Sequence, residues 1–397
     1  MKQRRKKVIV PRKTKSQIHI IDIKKILIIL FVVFSLMPTL CTVGDRTFKI
    51  LYLIFAVFLI QILKKEKAII PNRTLCMFLI FSLFVSMCSA IRWGVSRYFF
   101  NYIFGFLVLI LISSLYQSYS RNEWLDILQI VWWIALVCVV INDIKQYDRF
   151  VYYFAVGLPH PYIDTLITGG PNLEATWMVI LSVCFFDNRK RWIPYGISLG
   201  IALLYGSRTG LILAACVFII FFLGKMSNDT KKKILMRRSF LIAFVGIAFV
   251  GVMITNGQYI LSVIERFTNI GDEPGSLGRL AMWEYFVPVL QKYPLGVGLG
   301  NSIDALETIS PLKYTENNMH CLYMQMFVDC GVIGGIFYLA IWGTFIKKEF
   351  KNITQNSLCS ILFLYAIAAL MEFGGGESMF FCVLGIFLSD KRNYKIE

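Results

Sequence analysis

His320-Cys-Leu-Tyr-Met-Gln-Met-Phe-Val-Asp-Cys-Gly-Val-Ile-Gly-Gly-Ile-Phe-Tyr-Leu-Ala-Ile-Trp-Gly-Thr-Phe-Ile346 holds one acid, Asp329, and no lysine or arginine. A helix needs about 20 mainly apolar residues to cross the hydrocarbon of a bilayer, so this run reads as a membrane span. Similar charge-poor runs recur along the whole chain. Of its 397 residues 57% are hydrophobic, 15% aromatic and only 16% charged, with a mean hydropathy of +0.64. That leaves too few charges to coat a soluble globule. The expected fold is an all-α polytopic membrane protein: a basic tail over 1–23 and a single transmembrane helical domain over 24–397.

Hydropathy places spans at 24–43, 48–63, 74–91, 98–115, 124–141, 173–186, 192–206, 210–223, 239–255, 320–346, 357–372 and 377–389, twelve in all. The sixth, eighth and twelfth are short for a bilayer. Eight of the first fifteen residues are Lys or Arg, yet no small-residue cleavage site follows the first apolar run, which points to a retained helix rather than a cleaved signal peptide. With both termini cytoplasmic, most of the 41 Lys and Arg fall in short inner connections, the positive-inside pattern. The net charge of +17 is thereby explained without nucleic acid. The long segments 142–172 and 256–319 then lie outside the cytoplasm, the second between the ninth and tenth spans. In the second, Leu280, Trp283, Val287 and Leu290 recur at helical spacing, an amphipathic helix along the outer surface that Pro288 should kink or interrupt.

The ten cysteines are scattered singly through apolar runs and read as small buried apolar residues. Of three histidines, His19 lies in the basic tail and His160 in a Pro-His-Pro turn. His320 is placed at the first turn of the tenth span, where an imidazole either caps an interfacial helix or takes a proton from a hydroxyl. Arg208, in Tyr205-Gly-Ser-Arg-Thr-Gly210 between two apolar runs, either snorkels to lipid phosphates or meets an anionic ligand. Arg279 opens the amphipathic helix and is suited to bidentate phosphate binding or to a solvated surface. Gly296, Gly298 and Gly300 form a tight turn or a backbone anion nest; no strand precedes them, so they are no dinucleotide fingerprint. Asp329 lies about 13 Å below His320 on the opposite helix face, where it serves as a structural contact. Glu174, Glu307, Glu316, Glu372 and Glu377 are outer-face acids, solvated or capping, with a reserve role as bases. No Asp-x-Asp pair or carboxylate cluster suggests a divalent cation.

The order of Pro171-Asn172, Ser207-Arg-Thr-Gly-Leu211, Arg279 with Trp283, Tyr293-Pro-Leu-Gly-Val-Gly-Leu-Gly-Asn301, His320 with Leu322, and Gly331-Val-Ile-Gly334 resembles the O-antigen ligase and O-antigen polymerase superfamily of bacterial membrane glycosyltransferases. The likeness runs from about Gly169 to Gly335. Family members commonly carry Asn after this histidine, where this chain has Cys321. The resemblance implies a multi-pass enzyme of the bacterial cytoplasmic membrane, with its site facing outward. It implies an undecaprenyl diphosphate-linked oligosaccharide donor, a glycan or lipid acceptor, inversion at the transferred sugar, no metal or other cofactor, and other polysaccharide-assembly proteins as partners. Carried over, Arg208 and Arg279 hold the diphosphate, His320 activates the acceptor or stabilises the departing group, and Asn172, Gly296, Gly298 and Asn301 join them in binding substrate. Polymerisation of capsular, exopolysaccharide or O-antigen repeats is the leading expectation, with ligation of finished glycan its sibling. A transporter or lipid flippase is the competing class and would hold several ionisable groups near mid-membrane.

Overall fold

The computed structural model describes residues 23–40, 42–43, 46–47, 50–65, 73–115, 119–156, 161–167, 169–188, 191–223, 274–314 and 316–393. Among the described residues nine helices precede segment 256–319: α1 (Ile23–Leu36), α2 (Ile50–Lys65), α3 (Arg73–Trp93), α4 (Arg97–Leu115), α5 (Arg121–Lys145), α6 (Tyr147–Val156), α7 (Pro171–Ser182), α8 (Trp192–Leu204) and α9 (Arg208–Leu223). Within it lie α10 (Pro274–Glu284), α11 (Phe286–Lys292) and α12 (Ser302–Glu307). The chain returns through α13 (Leu322–Glu349), α14 (Ser357–Ala368) and α15 (Ser378–Asn393). The strand pairing among the described residues is a two-residue antiparallel ladder, with Thr42 opposite Thr47.

Eleven of the twelve expected spans coincide with helices; the ninth, 239–255, and both His19 and His160 lie outside the described residues. Among the described residues four helices are long and apolar enough to cross a membrane: Thr74–Trp93, Tyr98–Leu115, Arg121–Lys145 and Leu322–Asn352. Shorter apolar helices fill the space among them, including Pro171–Phe185, Trp192–Leu204, Arg208–Phe222 and Ser357–Ala368. α7 is buried along its length from Leu173 to Ser182, which an apolar sequence on every face requires. It packs on α8, α9 and α5, while α15 packs on α4 and α13 on α3.

Local chemistry sets the helix ends. Ser120 and Glu123 form a reciprocal capping box at the start of α5, and Pro171 opens α7 at a position where its missing N–H costs nothing. The segment 142–172 carries helix: α5 continues to Lys145, and α6 follows with Phe150 and Tyr153 buried. Tyr147, Tyr152 and Phe154 of α6 are exposed, an aromatic row of the kind found at membrane interfaces. The amphipathic helix is broken at Tyr285, between α10 and α11. The ring of Pro288 clashes with the carbonyl four residues back, at Glu284, so the interruption falls one turn before the proline itself. This pair buries Met282 and Val289 in a small outer core with Met319 and Val328, and leaves Leu280 and Val287 exposed.

Candidate functional site

The starts of α7, α9, α13 and α15 and the ends of α8 and α14 meet at one end of the bundle. Ser207 caps α9 by accepting from the Gly210 amide at 3.1 Å, and its hydroxyl donates to the Asn172 carbonyl at 3.3 Å. Arg208 is therefore the first residue of α9, with its cation at the positive end of the helix dipole. That placement is unfavourable unless an anion is near. The anion is Glu372, from the turn after α14. Its Oε1 accepts from Thr209 Oγ1 at 2.9 Å and lies 3.6 Å from Arg279 Nη1. Glu372 is only 3% exposed, and Arg279 also donates to the Met371 carbonyl at 3.3 Å. Burial pushes the Glu372 carboxyl up, while Arg279, Thr209 and Arg208 pull it back down.

His320 completes the group from the other side. Trp283 on α10 donates to the Met319 carbonyl at 2.9 Å, and the His320 amide donates to Asn318 Oδ1 at 2.9 Å. The Leu322 amide, at the start of α13, donates to the Ala369 carbonyl at 2.8 Å, which ties this loop to the turn that carries Glu372. His320 does not occupy the first helical turn as expected. It precedes α13 with φ 52°, the one non-glycine residue with positive φ among those described, and Cys321 takes the N-cap without a side-chain bond. A left-handed backbone at a residue with a Cβ is strained, and here three surrounding hydrogen bonds hold it. Desolvation and the neighbouring Arg279 charge, opposed by Glu316, lower the imidazole pKa to about 4. At neutral pH it is therefore a free base, and its Nδ1 is buried without a partner among the described residues.

The glycine-rich run serves a different purpose. Gly331 has φ 73° and ψ 178° and breaks the helical backbone inside α13. The break leaves the Val328 and Asp329 carbonyls without their usual helical donors and the Val332 amide without its acceptor. The Val297 amide donates to Val328 O at 3.1 Å, the Gly298 amide to Asp329 O at 2.8 Å, and the Val332 amide to Pro294 O at 3.0 Å. Asp329 Oδ2 accepts the Gly300 amide at 2.9 Å, and Leu299 donates to Ser86 Oγ at 2.9 Å. The Gly296 amide is bonded to Tyr293 O, and the Asn301 side chain to Val297 O at 3.0 Å. These amides are occupied within the fold, so the run is a backbone splint on the broken helix rather than an open anion nest. Gly296, Gly298 and Asn301 make no described contact with Arg208, Arg279 or His320.

Asn172 does stand beside the group through Ser207, and its Oδ1 is buried without a described partner. Of the reserve acids, Glu307 is paired with Lys313 at 2.7 Å on the surface. Glu174 is fully buried, bonded to the Leu166 and Ile167 amides and to Tyr205. Glu377 caps the Gly374 and Gly375 amides and accepts from Tyr365. Glu372 is the central residue that sequence reasoning left among the reserves. Its only signal is an acid beside a Gly-Gly-Gly turn between two apolar runs, and nothing there points to residues 208 and 279.

Two hollows adjoin the group. An apolar groove of about 440 Å³ runs between α3, α4, α13 and α15 from Leu322 and Gly375 to Lys348 and Glu349. A polar cavity of about 300 Å³ lies next to Glu372 and Asn318. Tyr102, hydrogen-bonded to the Gly374 carbonyl and to Gln325, borders both.

Residues 193–339 match the family model described as O-Antigen ligase. Over that stretch the chain is similar to the O-antigen ligases. The match takes in Arg208, Arg279, His320 and the glycine splint, and it ends before Glu372. No curated protein matches the chain. The match and the long apolar helices agree in supporting a membrane protein of the O-antigen ligase and polymerase type.

Proposed function

We propose that the chain is a membrane glycosyltransferase. It takes a glycan from undecaprenyl diphosphate at the outer leaflet and joins it to an acceptor hydroxyl with inversion, most simply to polymerise repeats of a capsular polysaccharide, exopolysaccharide or O-antigen. The observation that carries this reading is the gathering of Arg208, Thr209 and Arg279 on buried Glu372 with free-base His320 alongside. Two guanidinium groups at a desolvated helix end suit the charge that develops on a departing diphosphate. In the transfer the acceptor oxygen bonds to the anomeric carbon, the bond from that carbon to the phosphate oxygen breaks, and its electron pair stays on the diphosphate. The acceptor proton passes to the His320 imidazole. Asn172 would add an amide to the phosphate site, and the glycine splint would hold the loop rather than touch substrate. The apolar groove that starts at Leu322 suits a polyprenyl chain. Convergence of the three residues at one end of the bundle, rather than along its middle, favours transfer over transport.

His320→Ala should insert normally and lose transfer from an undecaprenyl diphosphate-linked oligosaccharide by at least about a hundredfold, the scale of a lost general base. Wild-type turnover by that variant refutes the assignment. In cells lacking the protein, accumulated single lipid-linked repeats identify a polymerase, accumulated long chains a ligase, and a block before the outer leaflet a flippase.

A further inference from the structure

The polar cavity of about 300 Å³ beside Glu372 is not used by the chemistry above. Two carboxylates, Glu372 and Glu377, line it, and no lysine, arginine or histidine does so among the described residues. A diphosphate placed there would meet the carboxylates of Glu372 and Glu377 before it reached Arg279, which stands 3.6 Å from Glu372, so this hollow suits an uncharged ligand better than the donor's phosphates. Its other polar walls include the amides of Asn101, Asn317, Asn318 and Gln325 and the hydroxyls of Ser35 and Ser378. The side chain of Asn101 makes no hydrogen bond to the described residues. Asn317 accepts from Asn318 at 3.0 Å through Oδ1 and keeps its own NH₂ donors. Glu372 has both neighbours on Oε1, so Oε2 accepts from no described residue although the residue is 97% buried. Tyr98 and Trp177 add aromatic faces. Amide donors, a spare carboxylate oxygen and flat apolar rings are the groups that bind the hydroxyls and C–H faces of a sugar.

The cavity is coupled to the reacting group at two points. Glu372 belongs to both, and Asn318, in its wall, accepts the His320 amide through Oδ1. We infer that this cavity is a saccharide subsite, which holds an uncharged, hydroxyl-bearing sugar of one of the two glycans against the Glu372 and Asn318 wall. The inference rests on the glycan-transfer reading and adds the place where sugar, rather than phosphate, is recognised.

The test uses the full protein in lipid nanodiscs and two separate probes. One is a phosphate-free oligosaccharide released by mild acid from the surface polysaccharide of the cells that make the protein; the other is glycan-free undecaprenyl diphosphate. Titration calorimetry should show Asn101→Leu weakening the oligosaccharide about tenfold or more, the scale of a lost hydrogen bond plus steric exclusion, with the diphosphate lipid unaffected. Asn317→Ala, an exposed change that carries the test if Asn101→Leu fails to fold, should weaken the oligosaccharide severalfold. Wild-type affinity for the oligosaccharide in both folded variants overturns the inference. So does absence of binding to the wild type at about millimolar probe, or an equal loss of diphosphate binding. Oligosaccharide that still binds after saturation with the diphosphate lipid marks the acceptor's sugar, and displacement by that lipid marks the donor's. Arg279→Ala separates the two readings: undiminished diphosphate binding there sinks the proposed function while a sugar effect at Asn101 still stands.

Discussion

His320 shows what one residue owes to its surroundings. Its imidazole is a base because burial and Arg279 disfavour the charged form, which lowers the pKa from 6.5 to about 4. The unfolded chain then binds more protons than the folded one between those values, so stability is complete above about pH 6.5 and declines as pH falls toward 4. In wild type, kcat/KM should hold its value well below pH 6.5 and lose its acid limb near pH 4, with circular dichroism followed in parallel to separate unfolding. An anionic diphosphate beside the ring would favour the imidazolium, so the limb in kcat should sit higher than that in kcat/KM. Coincident limbs near 6.5 would mean that His320 is solvated and not the base. The histidine itself was visible in the sequence as an odd residue at the mouth of an apolar run. Its left-handed backbone and its lowered pKa were not, because both depend on Asn318, Trp283, Ala369 and Arg279.

At the scale of elements, the broken helix and its glycine splint carry the most strain-sensitive packing. A Cβ added to Gly296 would lie 2.5 Å from the Gly331 amide nitrogen, and one added to Gly331 would lie 2.5 Å from the Leu295 carbonyl carbon. Both contacts are with backbone, which cannot swing aside, and both glycines have positive φ. Gly296→Ala and Gly331→Ala should each destabilise by more than about 1 kcal/mol, read as a lower melting temperature in detergent, with Gly278→Ala as the neutral control since nothing lies within 4 Å of its added Cβ. An unshifted melting temperature in either variant would mean that the splint is loose. The period of the apolar residues located α13 correctly but concealed its break. Hydropathy reports which residues avoid water, and Gly331 does so equally well inside a helix or at a kink.

The whole molecule separates its two ends by charge and by chemistry. At the site end sit Arg208, Arg279, His320 and Glu372. At the other, Lys347 and Lys348 close α13, and buried Arg191 donates to the carbonyls of Phe186 and Phe221 at 3.0 and 3.1 Å, the last turns of neighbouring helices. The positive-inside bias predicts that the site faces outward. A membrane-impermeant maleimide added to intact cells should label Asn317→Cys above the wild-type background and leave Lys351→Cys unlabelled; the reverse pattern would invert the orientation. Membrane class and the approximate spans followed from the sequence alone, because hydropathy is a sum over neighbouring residues and needs no knowledge of packing. The family's arginines and histidine were legible as well, since they stand in short ordered motifs. Only the tertiary structure decided that residues 208 and 279 gather on Glu372 with His320 beside Arg279, and that the glycine run splints α13. Burial, hydrogen-bond partnership and charge coupling are relations between segments that lie far apart in the chain, as Thr209 and Glu372 do, and packing alone brings those segments together.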